Sequence, residues 1–67
     1  MNLKSYEKIV IYRHRRKWTQ DALARRAHMS LSTIKRIECG KRELSSDELK
    51  MFASIYGVLD DDLSSDS

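Results

Sequence analysis

The sequence predicts an all-α fold, a compact bundle of five helices, on three observations. It contains no proline and only two glycines, whereas a sheet needs turn residues between its strands. Apolar residues recur at helical spacing in several segments. Hydrophobic residues make up 40% of the 67-residue chain, enough for one modest core and too many for a disordered chain. We therefore expect a single domain over residues 1–67, with a folded core at about 6–63 and a polar tail at 64–67.

The helices nearest the two ends of the chain follow from periodicity and capping residues. Apolar residues recur at helical spacing near the N-terminus, which predicts a first helix over 3–16. Toward the C-terminus, a serine at 45 or 46 can act as N-cap, acidic residues follow it, and Gly57 provides a stop. These features predict a helix at about 46–56. The segment "VLDDDLSSDS" adds one short helical turn at 59–63.

The stretch "QDALARRAHMSLSTIKRIE", residues 20–38, is either one amphipathic helix or two short ones. Periodicity alone does not decide, because the apolar residues keep phase throughout. A continuous helix would expose Met29 to water, whereas a break at "HMS" buries Met29 and uses Ser30 as an N-cap. The sequence therefore predicts helices over 20–27 and 31–38.

Charge is distributed unevenly along the chain. Residues 1–42 carry 12 basic and 3 acidic side chains, a net charge of +9. Residues 43–67 carry 1 basic and 7 acidic side chains, a net charge of −6. A basic body with an acidic end is consistent with ordinary solvation of a small surface, and equally with a polyanionic partner on one side.

Several classes of protein are not indicated by the sequence. One cysteine forms no internal disulfide, which favours the cytosol, and no apolar run approaches the length of a membrane span or a signal peptide. Cys39, His14 and His28 lack metal-ligand spacing, and no nucleophile has a plausible base beside it. We expect no metal, no cofactor and no enzymatic activity.

The stretch from Gln20 carries a resemblance to a known family. Counting Gln20 as the first place, the fifth is Ala24, and places four, eight, ten, fifteen and eighteen are apolar: Leu23, Ala27, Met29, Ile34 and Ile37. With the phrases "TQDALA", "STIKRIECGKR" and "LKMFASIYGV" in order, the chain resembles the Cro/cI-type helix-turn-helix family, also called the XRE family, over about residues 6–63. The resemblance implies a lambda-repressor-like DNA-binding domain. His28 and Lys17 stand where this family usually has Gly, and the loop after Arg42 lacks a common Pro.

The resemblance also implies the roles of particular side chains. The second helix of such a motif lies in the major groove. Leu31, Ser32 and Arg36 match base-reading places, and Lys35 lies on the same outward face, where it can reach a guanine or a phosphate. The places that contact phosphates are matched by Gln20, Thr33, Lys41 and Arg42. Arg13 and Glu38 match a structural ion pair between the first helix and the recognition helix.

Together these features predict a transcriptional regulator, a prokaryotic or phage repressor that binds a palindromic operator in double-stranded DNA as a homodimer. We expect it in the cytoplasm, associated with the nucleoid. The apolar C-terminal end suggests the dimer surface: Tyr56, Val58, Leu59 and Leu63.

Two alternatives remain. One is a protein-binding regulator, such as an antitoxin, whose acidic C-terminal end engages a partner protein. The other is a nonspecific architectural binder, which would show steep salt dependence without sequence preference.

Overall fold

A computed structural model describes residues 2–64 of the chain. It contains five helices: α1 (Ser5–Arg15), α2 (Gln20–Ala27), α3 (Leu31–Glu38), α4 (Ser46–Tyr56) and α5 (Asp60–Leu63). No strand occurs within residues 2–64. The prediction of an all-α, five-helix bundle is confirmed, and so is the division of residues 20–38 into two helices.

Side-chain caps explain where α2, α3 and α4 begin. Thr19 Oγ1 accepts a hydrogen bond from Ala22 N at 3.0 Å, Ser30 Oγ accepts one from Thr33 N at 3.1 Å, and the Ser45 hydroxyl caps α4 in the same way. Each cap satisfies an amide that has no partner within the helix. These are local interactions between residues three apart, which is why the sequence located all three helices correctly.

The first and last helices begin later than their predicted bounds. The helix predicted over 3–16 spans Ser5–Arg15, because Lys4 is extended and its backbone N–H donates to Glu7 Oε1 at 2.9 Å. The turn predicted at 59–63 begins at Asp60, since Leu59 N donates to an Asp62 carboxylate oxygen at 3.0 Å. In both cases an acidic side chain reaches back to the residue before the helix, as in half of a capping box.

Every helix contributes at least one residue to the core. The largest fully buried side chains are Phe52, Ile9, Leu23, Ile34, Ile37 and Leu63. Burying an aliphatic or aromatic side chain of this size contributes about 1.5–3 kcal/mol. Met29 is half-buried and packs against this cluster, as expected from a break between α2 and α3.

Two non-glycine residues with positive φ set the connections around α2. His28 ends α2 at φ 55°, and the next residue turns back so that Met29 N donates to Ala24 O at 3.0 Å. Lys17, between α1 and α2, has φ 56°. A left-handed conformation costs an L-residue roughly 1–2 kcal/mol, which explains why Gly is usual at both places in the family the chain resembles. The tight turn at His28 brings α3 directly against α2.

The structure corrects half of the predicted dimer surface. Tyr56 is only 2% exposed and its hydroxyl donates to Ile9 O at 2.8 Å, while Leu63 is fully buried. Both side chains fill the core of their own chain, because α5 folds back over α1 and α4. Neither is accessible to a second copy. Val58 is half-buried and Leu59 is 73% exposed, so only these two of the predicted residues lie at the surface.

Candidate nucleic-acid interface

The outward face of α3 presents the predicted base-reading side chains to solvent. Leu31, Ser32, Lys35 and Arg36 are exposed, whereas Ile34 and Ile37 on the opposite face are fully buried. Within residues 2–64, no hydrogen bond or ion pair holds any of these four side chains. The helix is thus fixed through its buried face and leaves its polar face unengaged.

This set of side chains has the chemistry needed to read base edges. The Arg36 guanidinium can donate two parallel hydrogen bonds to O6 and N7 of a guanine, and the Lys35 ammonium can donate to the same acceptors. The Ser32 hydroxyl both donates and accepts, and the apolar Leu31 can contact a thymine methyl group. An α-helix fits the major groove, which is about 12 Å wide, so this face can contact several successive base pairs.

A buried ion pair ties the C-terminal end of α3 to α1. Arg13 Nε donates to Glu38 Oε2 at 2.7 Å and Arg13 Nη2 donates to Glu38 Oε1 at 3.0 Å. The two side chains are only 11% and 5% exposed, and Arg13 Nη1 also donates to Trp18 O at 2.9 Å. A bidentate pair of this kind fixes both distance and orientation. It therefore fixes the C-terminal end of α3 against α1.

Gln20, a predicted phosphate contact, belongs to the same network. Its Nε2 donates to Glu38 Oε1 at 3.0 Å, so the start of α2 and the end of α3 share one carboxylate. The amide oxygen and the second Nε2 hydrogen take no part in this bond. The network orients Gln20, and the N-terminus of α2 beside it carries the partial positive charge that favours a phosphate.

Thr33 and Lys41, two further predicted phosphate contacts, differ in their surroundings. Thr33 is half-buried, and its hydroxyl lies 2.8 Å from the Ser30 hydroxyl that caps α3. Lys41 is exposed in the loop after α3, and its backbone N–H donates to Arg36 O at 3.0 Å. Lys41 therefore presents an exposed ammonium, unpaired within residues 2–64, close to the C-terminal end of α3, while the Thr33 hydroxyl supports the helix cap.

Arg42, the remaining predicted phosphate contact, is engaged within the protein. It donates to both carboxylate oxygens of Glu48, at 3.1 Å to Oε1 and 2.7 Å to Oε2. The guanidinium, with a backbone hydrogen bond from Ser45, lowers the pKa of the Glu48 carboxyl below its usual range. The same pairing raises the pKa of Arg42. The sequence contained no signal for this contact, because the partners are six residues apart across a loop.

Sequence reasoning also missed a stack of aromatic rings and guanidinium groups at the corner of α1 and α2. The Trp18 ring stacks against Tyr56 at 5.8 Å between centroids, and the Arg26 guanidinium lies 4.1 Å from the centre of the Trp18 ring. Arg16 lies over Tyr56 at 5.0 Å and donates to the Tyr56 carbonyl at the end of α4. Cation–π contacts of this type stabilise packing. The Arg16 charge at the Tyr56 carbonyl also offsets the C-terminal dipole of α4. The corner therefore supports the fold rather than the outward face of α3.

Two short helices joined by a tight left-handed turn, with a basic and unengaged face on the second, define a DNA-binding module. A family model described as "Helix-turn-helix domain" matches residues 10–65, and the chain belongs to this family. A helix-turn-helix domain over most of its length makes this chain a DNA-binding regulator. No curated protein and no solved structure matches the chain significantly.

Two kinds of feature are absent from the described part of the chain. None of the helices within residues 2–64 has the length and apolar character needed to cross a membrane. In the described part of the chain, His, Cys, Asp and Glu side chains form no group of three or more suited to a metal ion.

Proposed function

We propose that the chain is a sequence-specific transcriptional regulator of the Cro/cI (XRE) type, with α3 as its recognition helix. One observation carries the proposal: α3 buries Ile34 and Ile37 completely, while Ser32, Lys35 and Arg36 on its other face are exposed and have no side-chain partner within residues 2–64. A charged side chain without a partner is free to pair with a base edge or a phosphate without breaking a contact in the protein. The net charge of +9 on residues 1–42 favours approach to a polyanion.

We further propose that the regulator binds a palindromic operator as a dimer and acts as a repressor by occupying it. A single recognition helix contacts too few base pairs to select one site in a genome. Two copies related by a two-fold axis would place their recognition helices about 34 Å apart, one turn of the duplex. Because Tyr56 and Leu63 are buried in the core, the proposed dimer contact consists of Leu59, which is 73% exposed, and the neighbouring half-buried Val58.

Selection of bound sequences from a random duplex pool tests sequence recognition. Wild type, Arg36→Ala and Arg25→Ala are compared at near-physiological salt. Arg25 is the matched control, since it is an exposed arginine that lies on α2 and pairs with Asp21. The proposal predicts an enriched inverted repeat with wild type and Arg25→Ala, and loss of preference at one or two positions in each half-site with Arg36→Ala. Identical selected sequences for all three proteins would contradict it.

Dimerisation is tested separately. Leu59→Asp removes the exposed apolar side chain without touching the core, and sedimentation measures the assembly on a duplex carrying both half-sites. We expect two copies of wild type per duplex with cooperative binding, and a loss of cooperativity in Leu59→Asp. Equal cooperativity in both proteins would place the dimer contact elsewhere.

A second candidate function is favoured by the acidic end of the chain. Leu59 is followed by three exposed carboxylates on α5, Asp60, Asp61 and Asp62, so an apolar side chain lies beside a cluster of negative charge. Such a surface suits a protein partner with a basic and apolar groove, as in a regulator of the antitoxin kind. A chain that ignores DNA at low salt and yet forms a defined complex with one protein would favour this candidate.

A further inference from the structure

The loop between α3 and α4 carries two basic side chains in different situations. Lys41 is exposed, and its ammonium pairs with no carboxylate in residues 2–64. Arg42 is half-buried and directs two nitrogens at Glu48. The bidentate pair fixes the orientation of the guanidinium and offsets its charge with that of one carboxylate, which weakens its attraction for a phosphate.

Glu48 connects this pair to the first turn of α4. Its Oε1 also accepts a hydrogen bond from Ser45 N at 3.0 Å, while its own backbone N–H donates to Ser45 Oγ at 3.1 Å. This reciprocal arrangement is a capping box. One carboxylate therefore holds both the start of α4 and the Arg42 end of the loop.

The other end of the loop is fixed to α3 and α1. Lys41 N donates to Arg36 O at 3.0 Å, so the chain stays close to the last turn of the recognition helix. Gly40 has φ 76° and packs so closely against Tyr6 that an added Cβ would lie 2.8 Å from the ring. Lys41 thus lies between two anchored positions, one on α1 and α3 and one on α4.

We infer that Arg42 is a positioning residue: its ion pair with Glu48 holds the loop so that Lys41 can neutralise a DNA phosphate, and Arg42 is not a phosphate ligand itself. The inference rests on the proposed function, and it replaces the role that the sequence predicts for Arg42. Because the loop is already ordered before DNA binds, less conformational entropy is lost on binding.

The test measures the affinity of folded variants for a fluorescein-labelled duplex of mixed sequence, about 20 base pairs long, between roughly 50 and 200 mM salt. Arg42→Lys keeps the charge but loses the fork, and we expect binding about fivefold weaker, because one loop residue must then be ordered on binding. The slope of log affinity against log salt concentration should be the same for Arg42→Lys as for wild type. Lys41→Ala should reduce that slope by about 0.9, the value for one lost phosphate contact.

A matched pair of variants separates positioning from charge. Glu48→Gln and Glu43→Gln each remove one negative charge from the same region, but within residues 2–64 the exposed Glu43 carboxylate forms no hydrogen bond or ion pair with Arg42. We expect Glu43→Gln to tighten binding slightly and Glu48→Gln to weaken it. If Arg42 itself binds a phosphate, Glu48→Gln should free its guanidinium and tighten DNA binding more than Glu43→Gln does. That result would overturn the inference. An Arg42→Lys variant that binds the duplex as tightly as wild type would also overturn the inference.

Hydrogen exchange without DNA keeps this result distinct from a failure of the proposed function. The Lys41 amide should exchange about fivefold faster in Arg42→Lys and Glu48→Gln than in wild type, and at the wild-type rate in Glu43→Gln. Equal rates in all four proteins would show that the ion pair does not hold the loop, and would overturn the inference. Failure of wild type to bind the duplex at the lowest salt would overturn the proposed function, and with it the role of Lys41, whatever the exchange rates are.

Discussion

Replacing Glu38 by Gln tests whether the buried ion pair with Arg13 fixes α3 to the bundle. The substitution keeps the size of the side chain but leaves the Arg13 cation, 11% exposed, without a counter-charge. The new amide also turns an N–H toward a guanidinium that has only donors to offer. Removing one member of a buried pair typically destabilises a protein by about 3–5 kcal/mol. For a domain of this size each kcal/mol lowers Tm by about 4–8 °C, so we expect Tm to fall by about 12 °C or more.

Thermal unfolding followed by circular dichroism measures this effect, with Asp21→Asn as the control. The control removes the carboxylate of an exposed ion pair with Arg25, whose side chains are 81% and 55% exposed, so Tm should change by only a few degrees. The double variant Arg13→Met, Glu38→Met should be more stable than Glu38→Gln, because it leaves no unpaired buried charge. Equal Tm values for Glu38→Gln and Asp21→Asn would refute the idea that this pair fixes α3.

Three further predictions concern the stability of the fold. His28→Gly should raise the free energy of unfolding by about 0.5–1 kcal/mol, because glycine adopts the left-handed conformation without strain, and a urea titration that shows a decrease would contradict this. Gly40→Ala should lower Tm more than Gly57→Ala, since both strain a positive φ but only the first displaces the Tyr6 ring; equal losses would refute that contact. Burial raises the pKa of the Tyr56 phenol above 10, so the folded chain retains a proton that the unfolded chain loses. Stability should therefore fall as pH rises above 10, more steeply in wild type than in Tyr56→Phe, and parallel Tm curves would contradict this.

The fold was predictable where short-range chemistry decides it. Thr19, Ser30 and Ser45 each cap a helix through an amide three residues away, so the starts of α2, α3 and α4 are readable from the sequence. The start of α1 was not, because Lys4 is a poor N-cap and the interaction that ends the extended segment comes from Glu7. Periodicity likewise located the buried and exposed faces of α3, since an 8-residue helix has one apolar stripe.

The candidate site was less predictable where contacts join distant residues. The sequence indicates that Tyr56 and Leu63 pack against an apolar surface, but not whether that surface belongs to the same chain or to a second copy. Both side chains are buried in the core of their own chain. The contacts of Gln20 with Glu38 and of Arg42 with Glu48 depend on how the helices and loop meet in space. A charged or amide side chain beside a recognition helix has the same sequence signature whether it binds a phosphate or another side chain.

Amide chemical shifts of the chain during titration with a selected duplex show directly whether α3 binds DNA. We predict large shifts over α3, at Gln20 and at Lys41, and small shifts over α5, because the outward face of α3 and its two flanking positions meet the DNA. Arg25→Ala should give the same pattern. Shifts concentrated on Leu59 and α5, or no shifts at all at low salt, would contradict the claim that α3 reads DNA.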